Sequence, residues 1–367
     1  MSRLFEIDFF SMSSESVAQL AGKKIHEDVE DWEKQIWQFI VDWLNPDINT
    51  LQVFTSGSTG APKAITHTKL AMINSAAATC TALQLEPGYN ALLCLPVSKI
   101  AGMMMVVRSI YGKMKLVCIR PSSTPFNSLP DELKIDFAAF TPMQFYEVIA
   151  SRSSYNKANE MGKIILGGED LRLESIHFIR ELKSEVYTTF GMTETISHIA
   201  LKRINGDNPD ANFKVLPGIY VSVDDRSCLV VEAPSLGQPR LVTNDVVNLI
   251  KENEFQWQGR VDNVINSGGV KIQPEEIERH LLGVLYSPYF VGSIPDALTG
   301  EKLILAIEKQ ALTDAEKGEL TAAFNKLEKL HRPKQALLIP QFVRTENGKI
   351  KRKESLLSVS QAIDLQA

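Results

Sequence analysis

No apolar run in this 367-residue chain is long enough to span a bilayer, since the most apolar stretch, Ala101 to Val107, ends after two turns' worth of residues. The opening MSRLFEIDFFSMSS is broken by Glu6 and Asp8, so it lacks the continuous apolar core of a signal peptide. Cysteine is scarce: Cys80, Cys94, Cys118 and Cys228 are widely spaced in apolar surroundings with no CxxC pair. That excludes a disulfide or zinc framework and predicts reduced core thiols in a cytoplasmic protein. Basic charge is not in excess either. With a net charge of −5 the chain has no global pull toward nucleic acid or an anionic membrane, and a polyanion site must be a local cluster. Small anionic ligands remain, and a homo-oligomer is compatible with this composition.

What is present is an ordinary globular balance, 44% hydrophobic and 23% charged, in a chain long enough for two cores. Asp31 to Leu44, DWEKQIWQFIVDWL, sets Trp32, Ile36, Trp37, Ile40 and Trp43 at helical spacing, which predicts an amphipathic helix with its tryptophans in a core. From there to about residue 190, candidate strands at 51–55, 91–95, 115–119, 137–140 and 163–166 alternate with helices after Lys69, Gly102, Thr141 and Leu171. This alternation predicts an α/β layered domain with functional loops at the carboxyl ends of its strands. Closely spaced short strands between about 213 and 258 read as an antiparallel β appendage. A smaller α+β unit follows, with a helix from Thr313 to Leu330 and a basic tail. The expected domains are 1–260, large, and 261–367, small.

Residues 54–68, FTSGSTGAPKAITHT, pose the chemical question. A Walker A loop needs glycine directly before its lysine and a hydroxyl after it, but Pro62 precedes Lys63 and Ala64 follows. A dinucleotide-binding GxGxxG also fails, because Gly57 and Gly60 are the only glycines there. Hydroxyls of Thr55, Ser56, Ser58 and Thr59, exposed backbone N–H groups and the Lys63 cation can form an anion nest, although such a composition also suits a flexible connector.

The string T-S-G-S-T-G-x-P-K resembles the phosphate-binding signature of the adenylate-forming superfamily of acyl-CoA synthetases, adenylation domains and luciferases. Four more of its signatures follow in order: YTTFGMTET at 187–195, RLVTND at 240–245, GRVDNVINSGGVKIQPEE at 259–276 and RTENGKIKRK at 344–353. The resemblance implies an ATP-dependent, AMP-forming ligase that joins a carboxylic acid to coenzyme A through an acyl-adenylate. Such a reaction sets two anions against each other and calls for cations and magnesium. By the same resemblance Thr55, Ser56, Gly57, Ser58, Thr59, Gly60 and Lys63 would hold the β- and γ-phosphates of ATP. Thr193 and Glu194 would meet the α-phosphate, with Glu194 as the Mg2+ ligand. Phe190 and Gly191 would adjoin adenine, with Gly167, Gly168 and Glu169 as its other wall. Asp245 would bind the ribose diol, supported by Arg260. Lys349 would enter the site as the catalytic cation, Asp262 would be the hinge of a mobile small domain, and Ser267, Gly268 and Gly269 would line the pantetheine path. The sequence departs from the pattern at Asn244, where the family has glycine.

Within the superfamily the chain is compact, with 54 residues before the phosphate loop, and it most resembles the o-succinylbenzoate-CoA ligases of menaquinone biosynthesis. Segment 94–111, CLPVSKIAGMMMVVRSIY, aligns with their acid-binding helix. It brings Gly102 and Arg108 to the acid, with Lys99 where many members carry histidine or an aromatic residue. An arginine on an otherwise apolar helix is costly unless paired, and a dicarboxylic substrate would supply the pair. Met103, Met104 and Met105 are expected in the core, and His198 is placed either near the acyl pocket or in a core or loop role. The alternatives are a CoA ligase for another aryl or short-chain acid and a nucleotide-binding relative without catalysis.

Overall fold

Apolar β-branched runs alternating with helices fold the first unit around one sheet, seen in a computed structural model that describes residues 4–54, 63–168, 171, 174–344 and 350–364. The chain runs β1 (Leu4–Asp8), α1 (Ser14–Lys24), α2 (Asp31–Leu44), β2 (Thr50–Phe54), β3 (Ala64–Thr68), α3 (Lys69–Ala82), β4 (Asn90–Leu93), α4 (Ile100–Tyr111) and β5 (Lys115–Ile119). It continues through β6 (Phe137–Phe140), α5 (Pro142–Ala150), α6 (Arg152–Asn159), β7 (Lys163–Leu166), α7 (Glu174–Arg180), β8 (Glu185–Gly191), β9 (His198–Arg203) and β10 (Phe213–Val215).

The sheet order is β1-β5-β4-β6-β7-β8-β9-β10. Strands β5, β4, β6, β7 and β8 are parallel, while β1 and β9 flank them antiparallel. Leu92, Leu93, Val117, Cys118, Phe137 and Ala138 are all fully buried, as expected of parallel strands covered on both faces. The chain goes from β4 to β5 on one side and then to β6 on the other, so the strand order reverses at β4, the place where open α/β sheets bind ligands. Helix α4 leaves that point.

Helix α2 spans the expected residues and buries Ile36, Trp37, Ile40 and Trp43. Trp32 is only half-buried, with its ring stacked on Phe5 at 5.6 Å between centroids. Met103, Met104 and Met105 are core, and all four cysteines are buried and unpaired. Among the described residues no helix is long and apolar enough to cross a membrane.

Four strands follow: β11 (Tyr220–Val223), β12 (Cys228–Ala233), β13 (Gln238–Lys251) and β14 (Glu254–Arg260). The unit boundary cuts through them. Contacts assign Ser222–Val230, Val242–Leu249 and Gln256–Ala367 to the second unit and the intervening pieces to the first. The second unit adds β15 (Ile265–Ser267), β16 (Val270–Ile272), α8 (Pro274–His280), β17 (Tyr289–Asp296), β18 (Gly300–Glu308), α9 (Asp314–Asn325), β19 (Gln335–Ile339), α10 (Arg352–Ser355) and β20 (Gln361–Asp364). Its sheet runs β16-β15-β18-β19-β20, with β17 also on β18. One core joins Ile265, Ile277, Leu305, Leu320 and Phe324, and α9 starts with a Thr313–Glu316 capping box.

Candidate functional site

In the first unit the candidate residues gather around the turn between β8 and β9. Thr193 and Glu194 sit half-buried in a single 3-10 turn, Thr193–Thr195. Three contacts fix that turn from outside or within. His67, on the buried face of β3, donates from Nε2 to the Thr193 carbonyl at 2.8 Å. Gln238 donates to the Glu194 carbonyl at 2.8 Å, and the buried Thr195 hydroxyl reaches the Ser197 carbonyl at 2.8 Å. Burial holds the His67 imidazole below its ordinary pKa, against the opposing pull of the Thr193 carbonyl and Glu194.

Ile196 then reverses the chain with φ 68° and ψ −53°, and the Ser197 N–H bonds the Thr195 carbonyl at 2.7 Å. This is a γ-turn of the strained hand, rare for any residue and more so for a β-branched one. Strain of this kind costs on the order of 1–3 kcal/mol and persists only where surroundings impose it. Here Ile196 is fully buried. The reversal carries Ser197 and His198 back over Gly191, where a Cβ would lie 2.3 Å from the Ser197 carbonyl oxygen, so no side chain fits.

Phe190, just before that glycine, is half-buried and packs edge-on against Phe255 and Phe213 at 5.1 and 5.7 Å. Gly167 and Gly168 follow β7, the strand beside β8, and Gly167 lies against Thr189. Lys63 is exposed at the start of β3, whose partner β2 is in register from Phe54–Ala64 to Thr50–Thr68. Thr55, Ser56, Gly57, Ser58, Thr59, Gly60 and Glu169 lie outside the described residues, as does Lys349.

Arg108 projects from α4 into the interior. It is 2% exposed, and its Nη2 donates to Ser197 Oγ at 2.5 Å. Among the described residues its Nη1 has only the Met105 sulfur at 4.0 Å, and its buried Nε has no partner. No carboxylate among the described residues pairs with it, and burial pulls its pKa down to about 10. His198, also buried, bonds Ser197 Oγ through Nδ1 at 3.2 Å and Thr79 Oγ1 through Nε2 at 3.0 Å. Burial first, then the Arg108 charge, pushes the His198 pKa well below its ordinary value. Gly102 sits at the first turn of the same helix, where a Cβ would lie 2.3 Å from the Pro96 carbonyl oxygen. Lys99 is exposed at its N-cap position.

The second unit holds a separate polar group. Asp245 is buried on β13, and its Oδ1 accepts from the Trp257 indole at 3.1 Å. Arg260 lies 3.8 Å from Asp245 and 3.0 Å from Asp262, so one guanidinium serves both carboxylates. Asn244 donates to both Asp262 oxygens at 3.2 Å and accepts from Arg226 at 3.3 Å. The Arg260 hydrogen bond, helped by Asn244, holds the Asp262 carboxyl below its usual pKa. Ser267, Gly268 and Gly269 form the hairpin end of β15 and β16.

Two contributors were not legible locally. His67 acts on Thr193, 126 residues away, and Trp257 on Asp245, 12 residues away, and the only signal for His67 was its place on the inward face of an alternating strand. Among the described residues no group of three or more His, Cys, Asp or Glu side chains could hold a metal by itself.

A family model described as AMP-binding enzyme matches residues 10–234. Curated relatives include 2-succinylbenzoate–CoA ligases of Haemophilus influenzae, 28% identical over 66% of this chain and 54% of that protein, and of Escherichia coli, 25% identical over 81% of this chain and 66% of that protein. The chain thus spans roughly half to two thirds of the length of these relatives. Among solved structures, an acyl-CoA synthetase (AMP-forming)/AMP-acid ligase II-like protein from Dyadobacter fermentans is 32% identical, covering 97% of this chain and 99% of that one, with a TM-score of 0.65. The o-succinylbenzoate CoA synthetase of Bacillus subtilis, in complex with an acyl-adenylate intermediate, shares the fold at 21% identity, covering 85% of this chain and 69% of that one, with a TM-score of 0.69.

Proposed function

The chain belongs to the AMP-binding enzyme family, and from that premise we propose that it is an AMP-forming acid–CoA ligase acting on o-succinylbenzoate. One observation carries the choice of acid: the interior Arg108, which among the described residues has a buried Nε without a partner and no carboxylate of its own. An uncompensated charge in such a place costs several kcal/mol, and a second carboxylate on the substrate would offset it with bidentate, charge-assisted hydrogen bonds. The names of the curated relatives support the same acid.

In the first half-reaction an oxygen of the substrate's reacting carboxylate attacks the α-phosphorus of ATP. The bond to the β-phosphate oxygen breaks, giving acyl-adenylate and pyrophosphate. Thr55, Ser56, Gly57, Ser58, Thr59, Gly60 and Lys63 are assigned to the departing phosphates, Thr193 to the α-phosphate, and Phe190, Gly191, Gly167, Gly168 and Glu169 to adenine. Asp245 takes the ribose hydroxyls, with one carboxylate oxygen already held by Trp257 and Arg260 alongside. Lys349 is assigned to the charge growing between carboxylate and phosphate.

Magnesium suits Glu194, since that ion takes one or two carboxylates and completes its shell with phosphate and water rather than an all-protein cage. When bound it would neutralise phosphate charge. In the second half-reaction the thiol of coenzyme A attacks the acyl carbon, its proton is lost and AMP leaves. Ser267, Gly268 and Gly269 are assigned to the pantetheine arm and Asp262 to the hinge, with the mobile small domain taken as 261–367. Gly102 and Lys99 border the acid at the start of α4.

A pyrophosphate-release assay across a panel of carboxylic acids, with and without coenzyme A, tests this. Turnover with o-succinylbenzoate, and thioester only when coenzyme A is added, is the expected result. Turnover confined to other aryl or short-chain acids overturns the substrate; no turnover with any acid overturns the ligase.

A further inference from the structure

The hydrogen bonds around Arg108 favour one placement of the hydrogens. A guanidinium only donates, so Ser197 Oγ accepts from Arg108, and the serine's own hydrogen must go elsewhere. Among the described residues its other polar partner is His198 Nδ1, at 3.2 Å. At the far side of the ring, Thr79 Oγ1 lies 3.0 Å from the Ser75 carbonyl, which only accepts, so the threonine hydrogen is spent there. Its oxygen must then accept from His198 Nε2. Both ends select one form of the ring: neutral, with hydrogen on Nε2 and a lone pair on Nδ1. The bonds run one way, from Arg108 through Ser197, His198 and Thr79 to a backbone carbonyl of α3. Arg108, His198, Thr79 and Ser75 are each at most 5% exposed.

A core that needed only filling would not spend an arginine and a histidine on this chain, because every member must be satisfied or it destabilises the fold. Yet the guanidinium is not fully used: among the described residues the buried Arg108 Nε has no hydrogen-bond partner. One end of the guanidinium is anchored and the rest is left for an external acceptor. We propose that His198 and Thr79 are positioning residues for the acid substrate: by fixing the Ser197 hydroxyl as an acceptor, they set the Arg108 guanidinium to receive the substrate's distal carboxylate. This rests on the function proposed above and adds a division of labour. Because the Ser197 hydrogen is turned toward His198, Arg108 alone donates to that carboxylate.

The tautomer is tested first and without substrate. In full-length protein labelled with 15N-histidine, His198 should show a protonated Nε2 and an unprotonated Nδ1; hydrogen on Nδ1 overturns the proposal. Steady-state kinetics then compare o-succinylbenzoate with an analogue lacking the succinyl carboxylate. His198→Leu removes the acceptor and is expected to raise KM for the dicarboxylate relative to the analogue by about tenfold, the weight of one hydrogen bond to a charged group. His198→Asn, whose side-chain oxygen can stand in for Nδ1, is expected to recover most of that ratio.

Thr79→Val leaves His198 in place and should shift the ratio in the same direction by a few-fold, supplying the same comparison if His198→Leu does not fold. An equal change for both acids, or no recovery with asparagine, shows a merely structural role and overturns the proposal while the ligase reading stands. A wild type that activates only monocarboxylic acids overturns the acid assignment and the proposal together.

Discussion

Two arginines withdrawn from solvent show opposite solutions to one electrostatic problem. In the second unit Arg352 lies 3.0 Å from Glu278 and 3.7 Å from Glu275, bonds the Val291 carbonyl and sits over the Phe290 ring. Its charge is answered within the chain. Arg108 in the first unit is more deeply buried and meets a serine, a methionine sulfur and no acid among the described residues. A charge paid for internally holds a fold together, whereas one left open is available, under the function proposed above, to a ligand. The carboxylates reflect the same contrast, since burial raises Glu278 to about 7 despite Arg352.

The comparison can be broken most sharply with Arg108→Ala. Catalytic efficiency with o-succinylbenzoate should fall by about 100-fold or more, the loss expected for removing one partner of a buried charge pair, while the analogue lacking the distal carboxylate is affected far less. Arg108→Met should leave the melting temperature unchanged or higher, because it removes an unanswered charge; a marked fall would show that the fold itself uses Arg108. Arg352→Met should do the reverse and destabilise by about 2 kcal/mol, since it leaves Glu275 and Glu278 buried without their cation. Chemical denaturation measures this, and an unchanged midpoint would erase the distinction.

Acidity should separate the two units. Glu278 keeps its proton to a higher pH in the folded chain than the usual 4.5, so its contribution is favourable in acid and is lost as pH climbs through about 7. His198 and His67 are held below the usual 6.5, so the folded chain resists protonation and the first unit loses stability as pH falls below that value. Native-state hydrogen exchange between pH 7.5 and 5.5, corrected for intrinsic rates, should show α8 gaining protection while α3 loses it. Parallel behaviour would refute the assignment. The smallest effect is expected from Asp262→Asn: its pair with Arg260 is exposed on both sides, so thermal stability should move by less than about 1 kcal/mol.

Much of this architecture was legible because it is local. The 3.6-residue spacing from Ile36 to Trp43 and the apolar runs at 115–119, 137–140 and 163–166 specify α2, β5, β6 and β7 by their own periodicity. Strand β1 was not read, because Glu6 and Asp8 interrupt it and its apolar positions gain meaning only when paired with β5. Arg108 stood out as a charge in an apolar helix, but its partners did not: Ser197 and Thr79 come from other elements, and Thr79 reaches His198 across 119 residues. Nothing in GMTETISH announces that isoleucine occupies a left-handed backbone; glycine or asparagine would have been expected there.

That reversal at Ile196 sets a length. Glu194, whose carbonyl Gln238 holds, and Ser197, whose hydroxyl Arg108 holds, are separated by the shortest turn a polypeptide makes. Under the roles proposed here, these are the jaws of a caliper, one at the phosphorus being attacked and the other at the far carboxylate. Backbone sets the distance between these two anchors, and the side chains of Glu194 and Arg108 cover the rest of the span. On that reading an acid one methylene longer or shorter is expected to turn over more slowly, because its two ends are harder to grip at once.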